Sequence, residues 1–325
     1  MIDIGIFGWG NLGKAAVDNL SHFPDLQLKA IFTRRPQAVS ASAPKGVCVA
    51  DANDMPQWAG KIDVLLLCSG SATDLPEQTP AAVKLFNVVD SFDTHARIPE
   101  HFAAVDAAAR ASGHLGLISA GWDPGLFSLS RAYFNAFLPN GTDYTFWGKG
   151  VSQGHSDAIR RVAGVKRGVQ YTVPRDEAVA RVRSGEQPAL STREKHKREC
   201  YVVAQPNADL AEIEREIKNM PNYFADYDTT VHFISEEQFD REHGKMPHGG
   251  FVLRSGNNTP ELQSLLELNI RLDSNPHFTS GVLLACARAV KRMYDDGKRG
   301  CVTLFDVPPA ALYAQSPQEM RARLL

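Results

Sequence analysis

Three glycines stand at positions 8, 10 and 13, in the run Gly8-Trp9-Gly10-Asn11-Leu12-Gly13. An apolar, β-rich stretch precedes them (IDIGIF, 2–7), and KAAVDNLSHF, with helical spacing, follows. This is G-x-G-x-x-G between a strand and a helix, the context the pattern needs to bind a dinucleotide. Gly8 permits the tight turn, Gly10 lets the backbone approach a pyrophosphate, and Gly13 lets the helix pack close to the strand. The anion sits on the helix N-terminus, where unpaired amides and the helix dipole favour negative charge. Asn11 and Leu12 lie in that first turn and join the expected cofactor contacts. The next strand, LQLKAIFT (26–33), ends at Thr33-Arg34-Arg35. NAD enzymes often place a carboxylate there for the ribose hydroxyls. A hydroxyl and two guanidinium groups suit a 2′-phosphate instead, because arginine makes forked, charge-assisted bonds to phosphate oxygens. NADP is therefore the expected cofactor.

Further on, several residues have chemistry without an obvious local pattern. Asp93 follows the short strand NVVDSF (87–92), at the side where doubly wound sheets bind ligands. Asp123 precedes Pro124 in GWDPG (121–125). By themselves these read as a loop cap and a turn residue. Arg198 is one arginine among many, and His248 beside two glycines is a loop histidine. Trp122 and Trp147, taken singly, read as core.

The elements that must position these groups form two series. DVLLLCSG (63–70) is a buried parallel strand by its continuous apolar run, with helices at 76–86 and 98–112 and strands at 87–92 and 114–120. Strand and helix in alternation imply an α/β, doubly wound parallel sheet. After GWDPG come alternating segments (DYTFWGKGV, GVQYTVP, ECYVVAQ, TTVHFISEE) with a helix at 208–220, which suggest a second α+β domain with a mixed sheet. A helix at 279–297 and a strand at 301–309 close the chain, the strand returning to the first sheet. The expected division is a Rossmann domain of 1–119 plus about 300–325, with a substrate-binding domain over 120–299.

Composition fits this. The 325 residues are 43% hydrophobic and 22% charged, too many for one ordinary core and typical of a globular chain. A net charge of −2 gives no reason to expect nucleic acid or an anionic membrane as partner. No apolar run approaches the roughly 20 residues of a membrane helix, and no secretory signal is visible. The five cysteines are scattered, which argues against a disulfide framework and for a reducing cytoplasm.

Longer strings sharpen the reading: CSGSATDLPEQTP (68–80), VDSFDTH (89–95), SAGWDPGLFS (119–128), TFWGKGVSQGHSDAIRR (145–161), KHKREC (195–200), MPHGG (246–250) and LDSNPHFT (272–279). With the glycine loop and Thr-Arg-Arg, they resemble the meso-diaminopimelate dehydrogenases, NADP-dependent D-amino-acid dehydrogenases of bacterial lysine biosynthesis, over nearly the whole chain. The resemblance implies oxidation of the D-centre of meso-2,6-diaminopimelate to L-2-amino-6-oxoheptanedioate and ammonia. It implies Asp93 and Asp123 at the reacting amine, one of them its proton acceptor, with Asp90 a weaker candidate. It implies Thr172, Arg198 and His248 as the clamp on the far carboxylate, and Asn275 as a further contact. Trp122 and Trp147 become aromatic walls, and Gln153 and Gly154 contacts near the cleft between domains, which is expected to close on binding. Cys68, Ser69, Gly70, Ser71 and Thr73 are expected along the cofactor's ribose and nicotinamide. A homodimer is implied too.

Two departures stand out. Lys149 replaces the proline or other uncharged residue expected there, and is expected to face solvent, where a cation near the substrate could alter preference. RSGNNTPELQ (254–263) has no close match. Other readings weigh less. Asp90, Asp93 and His95, or His243 and His248, could bind a metal, but neither group makes a tight ligand set. Oxidoreductases of the glucose–fructose type carry a Glu-Lys-Pro tripeptide that is missing here. An NADP-binding sensor on the same fold would need no substrate clamp. A broader D-amino-acid dehydrogenase would keep the chemistry with a looser clamp.

Overall fold

The computed structural model describes residues 1–325. It divides into a unit of Met1–Leu129 with Pro276–Leu325, and a unit of Ser130–Asn275.

The first unit is a seven-stranded parallel sheet. Its strands are β1 (Ile2–Phe7), β2 (Leu26–Thr33), β3 (Cys48–Asp51), β4 (Val64–Leu67), β5 (Asn87–Asp90), β6 (Leu115–Leu117) and, from the end of the chain, β14 (Gly300–Val302). They lie in the order β14-β6-β5-β4-β1-β2-β3. The order reverses between β1 and β4, and ligands of such sheets bind beyond the strand C-termini at that point. The residues of β4 and β5 are buried throughout, as strands covered on both faces must be. One core packs Ile4, Ile6, Val64, Leu66 and Val89 against the helix Asn275–Asp295 through Leu283, Leu284, Ala287 and Val290. The other packs Phe32, Leu65, Leu67, Phe86 and Val88 with Val105 and Ala109 of the helix Ile98–Ser112.

That helix at 275–295 moves the expected boundary. Its place in the sequence suggests the second domain, but its apolar face completes the first unit's core, so the return begins at 276 rather than near 300. The strand expected at 301–309 is only Gly300–Val302, because the chain turns at once into a 3-10 helix over Leu304–Asp306.

The second unit holds two sheets rather than one. The first is mixed, in the order β11-β10-β9-β8: β8 (Gly150–Val151), β9 (Val165–Pro174), β10 (His196–Ala204) and β11 (Asp228–Phe233). β10 runs antiparallel to β9 and parallel to β11. One face carries Cys200 and Val202 into a core with Ile159 of the helix Gln153–Arg160 and Ile213 and Ile217 of the helix Leu210–Lys218. The second is antiparallel, in the order β13-β12-β7: β7 (Gly141–Trp147), β12 (His248–Thr259) and β13 (Leu262–Leu272). The unmatched stretch 254–263 is the end of β12, the turn at Pro260 and Glu261, and the start of β13.

Candidate active site

In the first unit the glycine loop joins β1 to the helix Asn11–Asn19. Gly8 has φ +108°, and a Cβ there would lie 2.9 Å from the carbonyl of Cys68, at the end of the neighbouring β4. A Cβ on Gly13 would lie 2.1 Å from the Gly8 carbonyl oxygen, so only glycine lets the helix start this close to the strand. A Cβ on Gly10 would meet nothing within 4 Å. No internal contact demands glycine there, whereas a pyrophosphate approaching the backbone does. Gly10 is also the helix N-cap and brings no side-chain oxygen to the first-turn amides. Leu12 packs its side chain on the core, so what it offers a cofactor is its backbone amide.

β2 delivers Thr33 buried at its end, where the hydroxyl accepts the Arg35 amide at 3.2 Å. The Arg34 and Arg35 side chains are exposed. Arg34 pairs at 3.2 Å with Asp74, which also accepts the Gly70 amide at 3.0 Å. A Cβ on Gly70 would lie 2.6 Å from the Thr73 hydroxyl. Arg34, Gly70, Thr73 and Asp74 thus gather at the C-terminal edges of β2 and β4. Asp74 was not anticipated, since nothing local links it to an arginine forty residues earlier. Cys68 is corrected in part: its side chain lies in the core and burial pushes its thiol up to about 12, so only its backbone is available to a cofactor.

Asp93 stands exposed beyond β5 and is held from β4. Ser71 donates to its carboxylate at 2.5 Å and accepts its amide at 2.8 Å. Asp123 lies in the turn Gly121–Gly125, closed by bonds from Leu126 to the Gly121 carbonyl at 3.1 Å and from Phe127 to the Trp122 carbonyl at 2.7 Å. Trp122 is buried edge-on against Phe127. Asp90, the weaker candidate, is fully buried and occupied otherwise. Thr79 and His101 bond one carboxylate oxygen at 2.8 and 2.7 Å; the Phe92 and Ser119 amides bond the other at 3.1 and 2.8 Å. The Ala120 amide reaches its carbonyl at 2.9 Å. Asp90 therefore ties down the loops that carry Asp93 and Asp123.

In the second unit the register of three strands makes a row. Gly150 of β8 pairs with Thr172 of β9, and Thr172 with Arg198 of β10. The Arg198 Nη1 donates to the Thr172 hydroxyl. His248, first residue of β12, lies over Gly150, where a Cβ would come within 2.5 Å of the imidazole. His248 Nδ1 lies 2.8 Å from the Gly249 amide and 3.2 Å from the Gly249 carbonyl oxygen, so its ring is held by the adjacent backbone. Arg198 is only 6% exposed, and its Nε has no hydrogen-bond partner. Burial pulls its pKa below the usual arginine range, and the nearby Tyr227 works the other way.

A half-buried histidine, His155, and a buried one, His196, border Arg198. Burial, then the Arg198 charge, lowers His155 to about 4 and His196 to about 3. Both rings are thus neutral unless the pH falls to those values, and they add no positive charge to that of Arg198. His196 Nε2 accepts the Trp147 amide at 2.8 Å and its ring stacks on the Trp147 indole, which holds that side chain in place. Gln153 opens the helix Gln153–Arg160 and donates to the Met246 sulfur at 3.6 Å. Gly154 follows it, exposed. Asn275 donates its amide to the Met246 carbonyl at 3.1 Å. His243 bonds Tyr171 at 2.9 Å and stacks on Tyr201. Side chains alternate along a strand, so Tyr171, Glu199 and Tyr201 lie on the opposite face from Thr172 and Arg198. Lys149 is more than half exposed and directed to that opposite face, 3.8 Å from Glu199 and over the Tyr171 ring.

Residues 121–274 match the family model of the diaminopimelic acid dehydrogenase C-terminal domain. The chain is 56% identical over its whole length to the meso-diaminopimelate D-dehydrogenase of Ureibacillus thermosphaericus, covering 99% of that protein. Among solved structures it is similar to a mutant meso-diaminopimelate dehydrogenase from Clostridium tetani with diaminopimelate, at 48% identity, TM-score 0.94 and full coverage of both chains. It is also similar to an engineered D-amino acid dehydrogenase bound to NADP+, at 40% identity and TM-score 0.87, covering 100% of this chain and 99% of the other. The chain belongs to the meso-diaminopimelate D-dehydrogenase family.

Proposed function

We propose that this chain catalyses the reversible, NADP-dependent oxidative deamination of the D-centre of meso-2,6-diaminopimelate, giving L-2-amino-6-oxoheptanedioate and ammonia. The observation that carries the proposal is Arg198: a guanidinium buried in a sheet, with no carboxylate paired to it and its Nε unpartnered. A buried charge without a counter-charge is costly, so the fold keeps it for an anionic ligand. The substrate's far carboxylate is such an anion. Arg198 grips it, the Thr172 hydroxyl and the His248 imidazole add single bonds, and Asn275 makes a further contact.

The reacting amine belongs to Asp93 and Asp123. An ammonium group must lose a proton before its carbon can give up hydride, and a carboxylate within reach accepts it. The Ser71 hydroxyl holds the Asp93 carboxylate in place. Trp122, Trp147, Gln153 and Gly154 are assigned to the length of the substrate between its two ends. NADP supplies the hydride acceptor. Its pyrophosphate is assigned to Gly8, Gly10, Asn11, Leu12 and Gly13, and its 2′-phosphate to Thr33, Arg34 and Arg35. The backbone at Cys68 with Ser69, Gly70, Ser71 and Thr73 is assigned to the ribose and nicotinamide.

A homodimer and a cytoplasmic location complete the reading. Tyr133 and Phe137 stack on each other in the open on one helix, Phe137 being 70% exposed. Leu262 and Leu265 are exposed on the edge strand β13, and exposed apolar groups of this kind are what a second copy covers. The cysteines are free thiols, which suits a reducing compartment, and no helix is long and apolar enough to cross a membrane.

The test of the function is NADPH formation at alkaline pH with meso-, LL- and DD-diaminopimelate and simple D-amino acids, each with NADP and NAD. The expected outcome is turnover of the meso isomer with NADP. Turnover spread evenly over many D-amino acids means a loose clamp, and NADP binding without turnover means a sensor.

A further inference from the structure

The guanidinium of Arg198 has a second neighbour, which the alignment of strands does not supply. Its central carbon lies 3.8 Å from the centroid of the Tyr227 ring. We infer that Tyr227 is the positioning residue of the distal-carboxylate clamp: its ring fixes the plane in which Arg198 presents its donors, and so sets the enzyme's affinity for a substrate with a second carboxylate. This rests on the reading of Arg198 given above.

Tyr227 is half-buried in the turn just before β11. Its amide donates to the Phe224 carbonyl at 3.0 Å, and the Thr229 hydroxyl reaches the same carbonyl at 3.4 Å. Arg193 reaches the Ala225 carbonyl at 3.2 Å. The turn is therefore tied on both sides, and the ring it carries is a fixed surface. A guanidinium on the face of an aromatic ring keeps its N–H groups in its own plane, free to bond sideways. Here one of them is used on Thr172, while Nε is unpartnered. Gln170, fully buried, has its side-chain amide 3.4 Å from the same Thr172 hydroxyl and its own Oε1 unpartnered. A bidentate grip on a carboxylate depends on the orientation of the guanidinium plane, because both N–H groups must meet both oxygens together. Thr172 holds one edge of the group and cannot stop rotation about that bond. The Tyr227 ring can.

The experiment compares Tyr227→Leu, Tyr227→Phe and Arg198→Met with the parent enzyme. It measures KM and kcat for meso-diaminopimelate, the dissociation constant of NADP and the melting temperature. Tyr227→Leu is expected to raise KM about tenfold, with NADP affinity and melting temperature retained, and Tyr227→Phe to restore most of the loss. If Arg198→Met raises KM while Tyr227→Leu does not, the clamp stands and the inference falls. A simultaneous decline of melting temperature, NADP affinity and kcat in Tyr227→Leu makes Tyr227 merely structural and overturns the inference. Failure of the phenylalanine to rescue assigns the effect to the hydroxyl rather than the ring, which also overturns it. If neither Arg198→Met nor Tyr227→Leu moves KM, the clamp reading itself fails.

Discussion

The residues of this protein differ in how far their roles depend on neighbours. Arg34 and Arg35 are exposed groups whose use follows from charge and from their place at the end of β2. Asp74 holds Arg34 by a bond that itself lies near the surface, so the pair contributes little to stability. Its effect is to orient the guanidinium. Replacing both arginines with alanine removes two charge-assisted grips, together worth about 2 kcal/mol or more. NADP affinity is expected to fall about thirtyfold or more, while NAD, which lacks the 2′-phosphate, is bound nearly as before. Titration of both cofactors against the double variant checks this; equal losses would remove the arginines from phosphate recognition. Arg198 is the opposite kind of residue. Its chemistry is ordinary, and burial without a counter-charge is what supports its proposed role as a receptor.

At the scale of elements, the parallel sheet serves the site by placing strand ends side by side. β4 ends in the loop with Ser71, β5 in the loop with Asp93, and β6 in the turn with Trp122 and Asp123. Asp90, at the end of β5, bonds across to the amide of Ser119 and along to that of Phe92, while His101 and Thr79 satisfy it from two helices. One buried carboxylate thus couples two loops that carry the proposed bases. Asp90→Asn loses the charge and turns one acceptor oxygen into a donor facing Thr79 or the amides. A stability loss of about 2 kcal/mol is expected, together with a fall in kcat larger than any change in NADP affinity. Denaturant unfolding and steady-state kinetics on the one variant measure both. Unchanged kcat would leave Asp90 a packing residue only.

At the scale of the whole molecule, the first unit is covered on both sheet faces, as a parallel sheet requires. The second unit has an edge strand, β13, on which Leu262 and Leu265 are exposed, and the exposed pair Tyr133 and Phe137 lies on a helix. An uncovered edge of this kind invites pairing with another chain. Phe137→Glu puts a charge in the middle of the exposed aromatic pair and is expected to weaken a dimer at least tenfold. Sedimentation velocity over a concentration series reads this directly; a parent chain that is monomeric at all concentrations sinks the proposal.

The nucleotide half of this protein was legible in its sequence because its parts are local. Gly8, Gly10 and Gly13 act within one turn, and the arginines follow one strand later, so spacing along the chain is spacing in space. The strings around Asp93, Asp123 and the proposed substrate clamp carried the family resemblance, but their geometry was not written locally. Whether Arg198 meets Thr172 depends on the register of β9 against β10, set by pairing over 26 residues of separation. The side of the sheet that Lys149 faces depends on alternation along the same strands. The helix Asn275–Asp295 reads as amphipathic from its spacing, yet only packing decides which core its apolar face completes. Tyr227 and Asp90 show the limit most plainly. A tyrosine in a turn and an aspartate at a strand end are common by type, and their roles come from a ring face at 3.8 Å and four bonds in a buried place. Sequence determines which groups are present and which local turns can hold a phosphate. Burial, register and long-range packing decide which charge is left unpaired, and an unpaired charge is what calls for a ligand.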